Sequence, residues 1–355
     1  MRRRRRRERG RRVDTGESPS SPRGLHQIGP ARYPGHRPSG TGRIPGAARR
    51  EVEVVGQRHG AQGGSGASAS PRDFVRRSDL RGALALLRDW GLIFATAFVA
   101  EHIGTAWARA AAVLLIGRIQ FGIGEALLHE ASHHNLFRTR RLNDALQVLY
   151  ALPFFVTLQA WRAEHLRHHR LLGEPGDHIV DDYGHYGLLD PQPRLRWIWF
   201  GRPLCGLVAF DYLRGLFEIN RPRDWAVVAG TWAIVLGAGT IGGHLELVLL
   251  YHVLPQLLVF APLLYWSEIA DHYRTRTGCR SRTGALANWF GHDNGYHEIH
   301  HRYETIPFHQ LRAAHRALLG DDAETATGWW SVWRQVSRPD EPVPERWRRF
   351  WPGGA

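Results

Sequence analysis

Four long apolar stretches stand out from an otherwise polar chain, and they cover residues 80–100, 106–126, 225–243 and 245–266. Each holds 19–22 residues. At a rise of about 1.5 Å per residue, a helix of that length crosses a hydrocarbon layer of about 30 Å. The third stretch carries no charge over its 19 residues. The pattern predicts an all-α integral membrane protein with four transmembrane helices; the alternative is four buried helices of a soluble bundle.

A few residues inside these stretches restrict how the helices pack. Arg118 and Glu125 lie well inside the second stretch, so their side chains are expected to face protein rather than lipid. Pro255 and Pro262 in the fourth stretch lack a backbone N–H donor and predict kinks there.

The arginine residues predict which side of the membrane each segment occupies. The link between the first two stretches and the link between the last two are short and lack Arg. Residues 127–224, between the second and third stretches, carry 12 Arg. Because positively charged segments stay on the cytosolic side, we expect the central segment and both Arg-rich termini in the cytosol. The four helices then form two hairpins with short outer turns and a cytosolic helical cap, in a multi-pass protein of the cell membrane.

The net charge of +14 belongs mainly to one end of the chain. Residues 1–71 hold 16 Arg and 5 acidic residues, and they are rich in Gly, Ser and Pro. We therefore predict a disordered Arg-rich tail at 1–75, which either touches anionic headgroups or is merely solvated or absent from the mature protein. The remaining charge is too small to indicate a nucleic-acid partner.

The cysteine content and the C-terminal composition give two further expectations. The only cysteines, Cys205 and Cys279, exclude a disulfide framework and a Cys-ligated cluster within the chain. After a membrane domain at 76–320, the segment 321–355 is rich in Trp and Arg. This C-terminal segment is expected either to lie on the headgroups or to pack on the cap.

Three short histidine clusters carry the chemistry. They hold nine of the 21 His and read His-Glu-Ala-Ser-His-His, His-Leu-Arg-His-His and His-Glu-Ile-His-His. Their histidines are His129, His133, His134, His165, His168, His169, His297, His300 and His301. On a helix, residues three or four apart share a face, so each cluster predicts a pair of metal-binding imidazoles. Two apolar stretches separate the second cluster from the third and return the chain to the same side, so all nine can converge.

A tenth histidine lies just beyond the fourth apolar stretch. Glu268 and His272 are four residues apart, which predicts either a further metal ligand with a carboxylate beside it or an interfacial ion pair. His292 stays open, and we interpret His102, His178, His185, His244, His252, His309 and His315 as structural.

Nine or ten histidines exceed what one ion requires and indicate two ions. Neutral imidazoles without cysteine fit iron that handles O2 better than a hydrolytic zinc site, which needs a carboxylate base. A site at the mouth of a membrane bundle indicates an apolar substrate. A histidine-rich metal transporter is a separate hypothesis, although it predicts ionisable residues near the middle of the membrane.

Residues 80–320 resemble the membrane fatty acid desaturase family, which includes related hydroxylases and ketolases. The three clusters match the three histidine boxes of that family in order and spacing, and residues 294–301 and 306–311 are also similar to it. The resemblance implies a non-haem di-iron centre held by the nine cluster histidines and His272, with Glu268 and Asn294 as residues that support them. It departs at Glu304, where many relatives have Pro, and at residues 176–183.

The resemblance also implies the reaction. We expect an O2-dependent desaturase that introduces a double bond into an acyl lipid; the alternative is a hydroxylase or ketolase acting on an acyl chain, a carotenoid or a specialised metabolite. No cytochrome b5 module is visible in the tails, so a separate ferredoxin- or cytochrome b5-type donor with its reductase is expected to supply the electrons.

Overall fold

The computed structural model describes residues 69–338, and in this range the chain is mostly helical. The predicted N-terminal tail lies outside the described residues up to residue 68, as does the C-terminal segment beyond residue 338. A 3-10 turn at Pro71–Phe74 precedes the first long helix.

The first apolar pair forms two helices joined by a tight turn. Helix α1 (Asp79–Ile103) ends at Gly104, whose φ of 71° is a left-handed conformation that favours glycine. Thr105 then starts helix α2 (Ala106–Ser132), because its hydroxyl accepts a hydrogen bond from the N–H of Ala108. The two-residue link makes α1 and α2 neighbours that run in opposite directions.

Helix α2 widens just before the first histidine box. Residues Gly122–Leu127 form a π-helical turn, and regular α-helix resumes at Leu128–Ser132. Two glycines allow close packing here, since a Cβ on Gly122 would overlap the carbonyl of Phe290 and one on Gly124 would lie 2.6 Å from the ring of Phe154. Turns of this kind are frequent at functional sites, and here the turn immediately precedes the residues of the first box.

Short helices connect the two apolar pairs and carry the second box. In chain order they are α3 (Arg140–Ala145), α4 (Leu158–Leu171), α5 (His178–Tyr186), α6 (Arg202–Leu204) and α7 (Leu207–Ile219). Irregular turns between them occupy Leu146–Leu149, Leu152–Phe154 and Trp197–Gly201.

The second apolar pair forms helices α8 (Pro222–Ile241) and α9 (Leu245–His272). Wider π turns at Leu249–Val253 and Gln256–Phe260 each end two residues before a proline. The kinks predicted at Pro255 and Pro262 thus correspond to places where the regular hydrogen-bond ladder of α9 is interrupted.

The remaining chain folds beside the end of α9. It comprises β1 (Ser281–Arg282), α10 (Ala285–Phe290), α11 (His297–Arg302), α12 (Phe308–Leu318), β2 (Thr325–Ala326) and α13 (Trp329–Val336). A 3-10 turn occupies Gly320–Asp322. The two strands pair in parallel, with Ser281 opposite Thr325 and Arg282 opposite Ala326.

A buried ion pair fixes this region to α9. Arg282 donates from Nε and Nη2 to the two carboxylate oxygens of Asp271, at 2.7 and 2.8 Å. Val332 and Val336 of α13 are buried in the same apolar cluster as Tyr273. The described part of the C-terminal segment therefore packs on the rest of the chain.

Within the described residues, four helices are long and apolar enough to cross a membrane, namely α1, α2, α8 and α9. Exposed apolar residues such as Phe98 and Ile234 suit helices that face lipid. Arg118 donates to the carbonyl of Ala287 at 2.6 Å and Glu125 is buried, so both face protein as predicted.

Candidate metal centre

Nine of the ten predicted histidines converge into two adjacent groups. The five-histidine group consists of His129, His133, His165, His169 and His300. The four-histidine group consists of His168, His272, His297 and His301. Within each group the candidate ligand nitrogens all lie within 4.8 Å of one another. Helices α2, α4, α9 and α11 carry eight of the nine residues. The ninth, His133, directly follows the end of α2.

Helical spacing decides which group each histidine joins. Pairs four residues apart share a helix face and enter the same group, as His165 and His169 do on α4. The residue between such a pair points elsewhere, so His168 joins the other group. The third box repeats this arrangement in mirror order, because His297 and His301 enter the four-histidine group while His300 enters the five-histidine group.

The distances between ring nitrogens fit metal coordination. In the five-histidine group, Nε2 of His129 lies 2.7 Å from Nε2 of His300, and Nε2 of His133 lies 2.8 Å from Nε2 of His165. Two nitrogens bound to one ion at about 2.1 Å and at right angles would lie about 3.0 Å apart. Neutral rings that face each other can share only one proton per contact, so a cation is the natural partner for several converging lone pairs.

The four-histidine group has the same spacing. Nε2 of His297 lies 3.1 Å from Nε2 of His272 and 3.0 Å from Nε2 of His301. The rings of His169 and His301 stack with centroids 4.1 Å apart, so the two groups are in contact. The donor set thus fits two neighbouring ions with imidazole ligands, which suit iron as well as zinc, copper and nickel.

Burial keeps several of these imidazoles neutral. It lowers the pKa of His165 and His300 well below the usual range, and the neighbouring histidines lower it further. The pKa values of His297 and His301 are lowered for the same reasons. A neutral ring keeps a free lone pair at neutral pH, which metal binding requires.

Carboxylate and carbonyl oxygens lie near Nδ1 of several rings, on the side away from Nε2. Nδ1 of His168 lies 3.0 Å from Asp177, and Nδ1 of His272 lies 3.0 Å from the carbonyl oxygen of Gly278. Contacts of this kind fix the tautomer and direct Nε2 toward a metal. Nδ1 of His133 and Nδ1 of His169 each lie 3.7 Å from the same carboxylate oxygen of Glu304.

Asp177 and Glu304 both lie in the segments that depart from the family pattern. The sequence did carry a signal for Asp177, since it is an Asp directly before an apolar helix and it caps α5 by accepting from the N–H of Ile179. For Glu304, only the folded loop after the third box shows that its carboxylate contacts two rings.

The structure gives His134 no place in either group among the described residues. Helix α2 ends at Ser132, and His134 has a left-handed backbone with φ of 57°. Its Nδ1 instead faces Nη2 of Arg162 at 3.5 Å. The end of the helix, which the sequence pattern did not reveal, turns this side chain away from the box.

Glu268 and Asn294, the two residues expected to support the metal ligands, lie in different surroundings. Glu268 lies one turn before His272, and its Oε1 is buried without a hydrogen-bond partner. Asn294 is buried, but among the described residues its side chain makes no hydrogen bond to a histidine. The loop before the third box is held instead by Asn288, which donates to the carbonyl of Arg282 at 2.7 Å and accepts from the N–H of Gly295.

Two other histidines contact the surroundings of the site. His292 lies 2.7 Å from Asp89 of α1, which gives it a structural role in joining α1 to the loop before the third box. The ring of His178 lies 5.3 Å from that of His168, and burial lowers its pKa to about 3.

A cavity of about 530 Å³ opens onto both histidine groups. His129 and His165 line it from one group, and His168, His272 and His297 line it from the other. Its apolar wall comes from α2, α7, α9 and the turn before α4, with Leu128, Phe154, Val156, Leu216 and Phe260 among the lining residues. This volume lies within the range of small-molecule sites.

The comparison with known families agrees with this arrangement. A family model described as fatty acid desaturase matches residues 104–333, which include all three histidine boxes and His272. This match covers more than half of the chain. The chain therefore belongs to the fatty acid desaturase family.

Proposed function

We propose that the chain is an O2-dependent di-iron oxidoreductase that introduces a double bond into the alkyl chain of a membrane lipid. The convergence of nine histidines into two adjacent groups, beside a cavity with an apolar wall, carries this proposal. The ligands are the five- and four-histidine groups defined above; His134 is not among them.

Each part of the site has a distinct task. The two histidine groups hold the irons, which when bound supply O2 activation and hydrogen abstraction. Asp177 keeps the ring of His168 oriented, and Glu304 places a carboxylate near the rings of His133 and His169. The apolar wall positions the substrate chain so that an unactivated C–H bond lies next to the groups, and it excludes water from the reaction.

The overall desaturation balances with an external reductant. One C–H bond breaks on each of two neighbouring carbons, and a C=C bond forms between them. O2 takes up these two hydrogens together with two electrons and two protons from outside and becomes two molecules of water. A ferredoxin- or cytochrome b5-type protein with its reductase supplies the electrons.

The donor is proposed to dock on the cytosolic side. Exposed Arg140 and Arg141 lie at the start of α3, and exposed Arg170 lies on α4, which carries the second box; these arginines suit an acidic partner. The same arginines support a cytosolic position for the boxes and both termini under the positive-inside rule.

Hydroxylation is the second candidate, because it shares the first hydrogen abstraction. It leaves one oxygen atom on the substrate, whereas desaturation removes two hydrogens. Product mass distinguishes the two reactions directly.

The experiment is to measure metal content and product together. The detergent-purified chain is expected to hold two irons and, with a donor system and lipid extract, to form a product lighter by two hydrogens. His165→Ala is expected to lose iron and all activity. A chain that holds one zinc, or whose metal is unaffected by His165→Ala, would contradict the proposal.

His134→Ala provides a matched control. It removes an imidazole from the same box, but from a side chain that faces Arg162. It should retain two irons and most of the activity. Loss of one iron in this variant would return His134 to the ligand set.

A further inference from the structure

The cavity beside the histidine groups is rich in acidic residues. Eight carboxylates but only two arginines line it. Some of these carboxylates have strong partners outside the lining, since Asp271 is paired with Arg282 and Asp211 lies 2.5 Å from Nη2 of Arg202. Others lack such partners among the described residues.

One wall of the cavity gathers three acceptors around a common point. The candidate donor atoms of His178, Asp182 and Glu268 lie within 4.8 Å of one another. Arg214 lies 3.6 Å from Asp182 and 3.5 Å from Glu218, so it forms a close hydrogen bond with neither. Oε1 of Glu268 is buried and has no hydrogen-bond partner among the described residues.

Glu125 adds an independent observation from the facing helix α2. It also lines the cavity and is only 9% exposed. Within the part of the chain that the structure describes, its Oε2 is buried without a hydrogen-bond partner, and Nδ1 of His129 lies 3.9 Å from Oε1. The charged forms of Glu125 and Glu268 would repel each other. A buried carboxylate without a partner is costly, so a group that enters the cavity is expected to compensate it.

The electrostatics at Asp182 agree with an excess of negative charge around it. Burial and the neighbouring Glu218 and Asp181 together raise the pKa of Asp182 to about 7, against the opposing effect of Arg214. A cation bound beside Asp182 would favour its ionised form.

We propose that this cavity selects a substrate that carries a protonated primary amine on an apolar chain. The inference rests on the proposed function, because it names the substrate class of the same site. An ammonium group has three N–H donors, and three acceptors at about 2.9 Å and tetrahedral angles lie about 4.7 Å apart. The candidate atoms of His178, Asp182 and Glu268 lie within 4.8 Å of one another, which is compatible with this arrangement. The apolar wall takes the chain. A carboxylate or phosphate head would meet like charge here.

The test compares three probes that differ only in the head group. Binding of hexadecylamine, hexadecanol and palmitate to the iron-loaded chain in a non-ionic detergent is measured by calorimetry. We expect the amine to bind at least about tenfold more tightly than either of the others, as for a charge-assisted hydrogen bond.

Variants assign the preference to the acidic wall. The double variant Glu268→Gln/Asp182→Asn should lose about tenfold or more in amine affinity and keep its affinity for the alcohol, which also reports that the cavity is folded. Asp190→Asn, an exposed carboxylate outside the lining, should change neither. Equal binding of palmitate, or unchanged amine binding in the double variant, would overturn the inference.

Two further measurements distinguish a bound amine from a bound metal ion and from a failure of the iron site. Manganese titration of the iron-loaded chain tests whether the three acceptors hold a divalent ion instead; a third ion lost in the double variant, with amine binding intact, would also overturn the inference. Iron content is determined in the same samples. If the chain holds iron but does not prefer the amine, only this inference is refuted. If the chain prefers the amine but holds no iron, only the proposed function is refuted.

Discussion

Asp177 shows how one carboxylate links several parts of the site. It accepts from Nδ1 of His168 at 3.0 Å, from the N–H of Gly173 at 2.7 Å and from the N–H of Ile179 at the start of α5. A single side chain thus orients a metal-binding ring, closes the loop after the second box and caps a helix that lines the cavity.

Asp177→Asn is expected to lower iron affinity by about 10–100-fold, the usual effect of removing a carboxylate behind a ligating histidine. The amide can still accept one hydrogen bond, so the chain should remain folded. Iron retained against a chelator is the measurement. Asp181→Asn, an exposed carboxylate on the same helix, is the control; equal retention in both variants would mean that Asp177 only caps α5.

Glu304 offers a second prediction at this scale, because one carboxylate oxygen contacts two rings of the five-histidine group. Its negative charge should stabilise the oxidised, more positive state of a bound metal. Glu304→Gln is therefore expected to raise the midpoint potential by about 30–60 mV, which corresponds to a tenfold change or less in a one-electron equilibrium. Spectroscopic redox titration measures it. An intermediate value in Glu304→Asp would support the charge effect, and an unchanged potential in Glu304→Gln would exclude it.

The histidines that the structure brings together are those whose placement follows from helical spacing. His165 and His169, or His297 and His301, share a face wherever their helix is placed. The assignment of His134 was different, because it depended on where α2 ends. Asp177 and Glu304 depended on the paths of loops, which spacing alone does not report.

The crossing of α2 and α9 brings the first box close to His272. At Gly117, an added Cβ would overlap Val259 and lie 2.8 Å from the carbonyl oxygen of Pro255. The absence of a side chain thus lets the two helices approach.

Gly117→Ala is expected to force α2 and α9 apart and cost about 1–3 kcal/mol, as overpacking does. The thermal midpoint in detergent should fall, and iron content should fall with it, because each helix carries ligands. Gly230→Ala on α8 is the control, since its Cβ would meet nothing within 4 Å. Helix propensity favours Ala over Gly in both variants, so a midpoint that falls equally in both would point to a general effect and not to overpacking at Gly117.

The elements themselves were largely predictable. All four apolar stretches became helices at about the predicted positions. The ends of α2 and α9 were missed by about six residues each, because the polar residues of the boxes look like the end of an apolar helix. Their side chains point into protein, so the helices continue beyond the apolar stretch to Ser132 and His272.

At the scale of the whole molecule, the two cysteines allow a direct test of orientation. Cys205 is exposed and lies in the central segment, whereas Cys279 is buried. A membrane-impermeant maleimide should label the chain in inverted vesicles and not in intact cells, if the cap is cytosolic. Cys205→Ser should abolish the labelling. Labelling in intact cells would reverse the proposed orientation.

The region that holds the histidine groups should also respond to acid in a predictable direction. Burial holds the pKa of His165, His297 and His300 well below the usual value, while in the unfolded chain these groups titrate near about 6.5. The unfolded state therefore binds more protons below about pH 6.5, and the metal-free chain loses stability as the pH falls from there. Thermal midpoints at pH 7.5, 6.5 and 5.5 measure this effect; a flat or rising midpoint toward pH 5.5 would contradict it. Bound iron should reduce the loss.

The division of neighbouring box residues between the two groups has a mechanical consequence. His168 and His169 are joined by one peptide unit, as are His300 and His301, and consecutive Cα atoms lie a fixed 3.8 Å or so apart. Two short covalent links on different helices would therefore limit how far apart two bound ions could lie. Inserting one residue between His165 and His168 would rotate the later histidines by about 100° and direct them away from their groups, so the boxes should tolerate changes in the residues between the histidines far better than changes in their number.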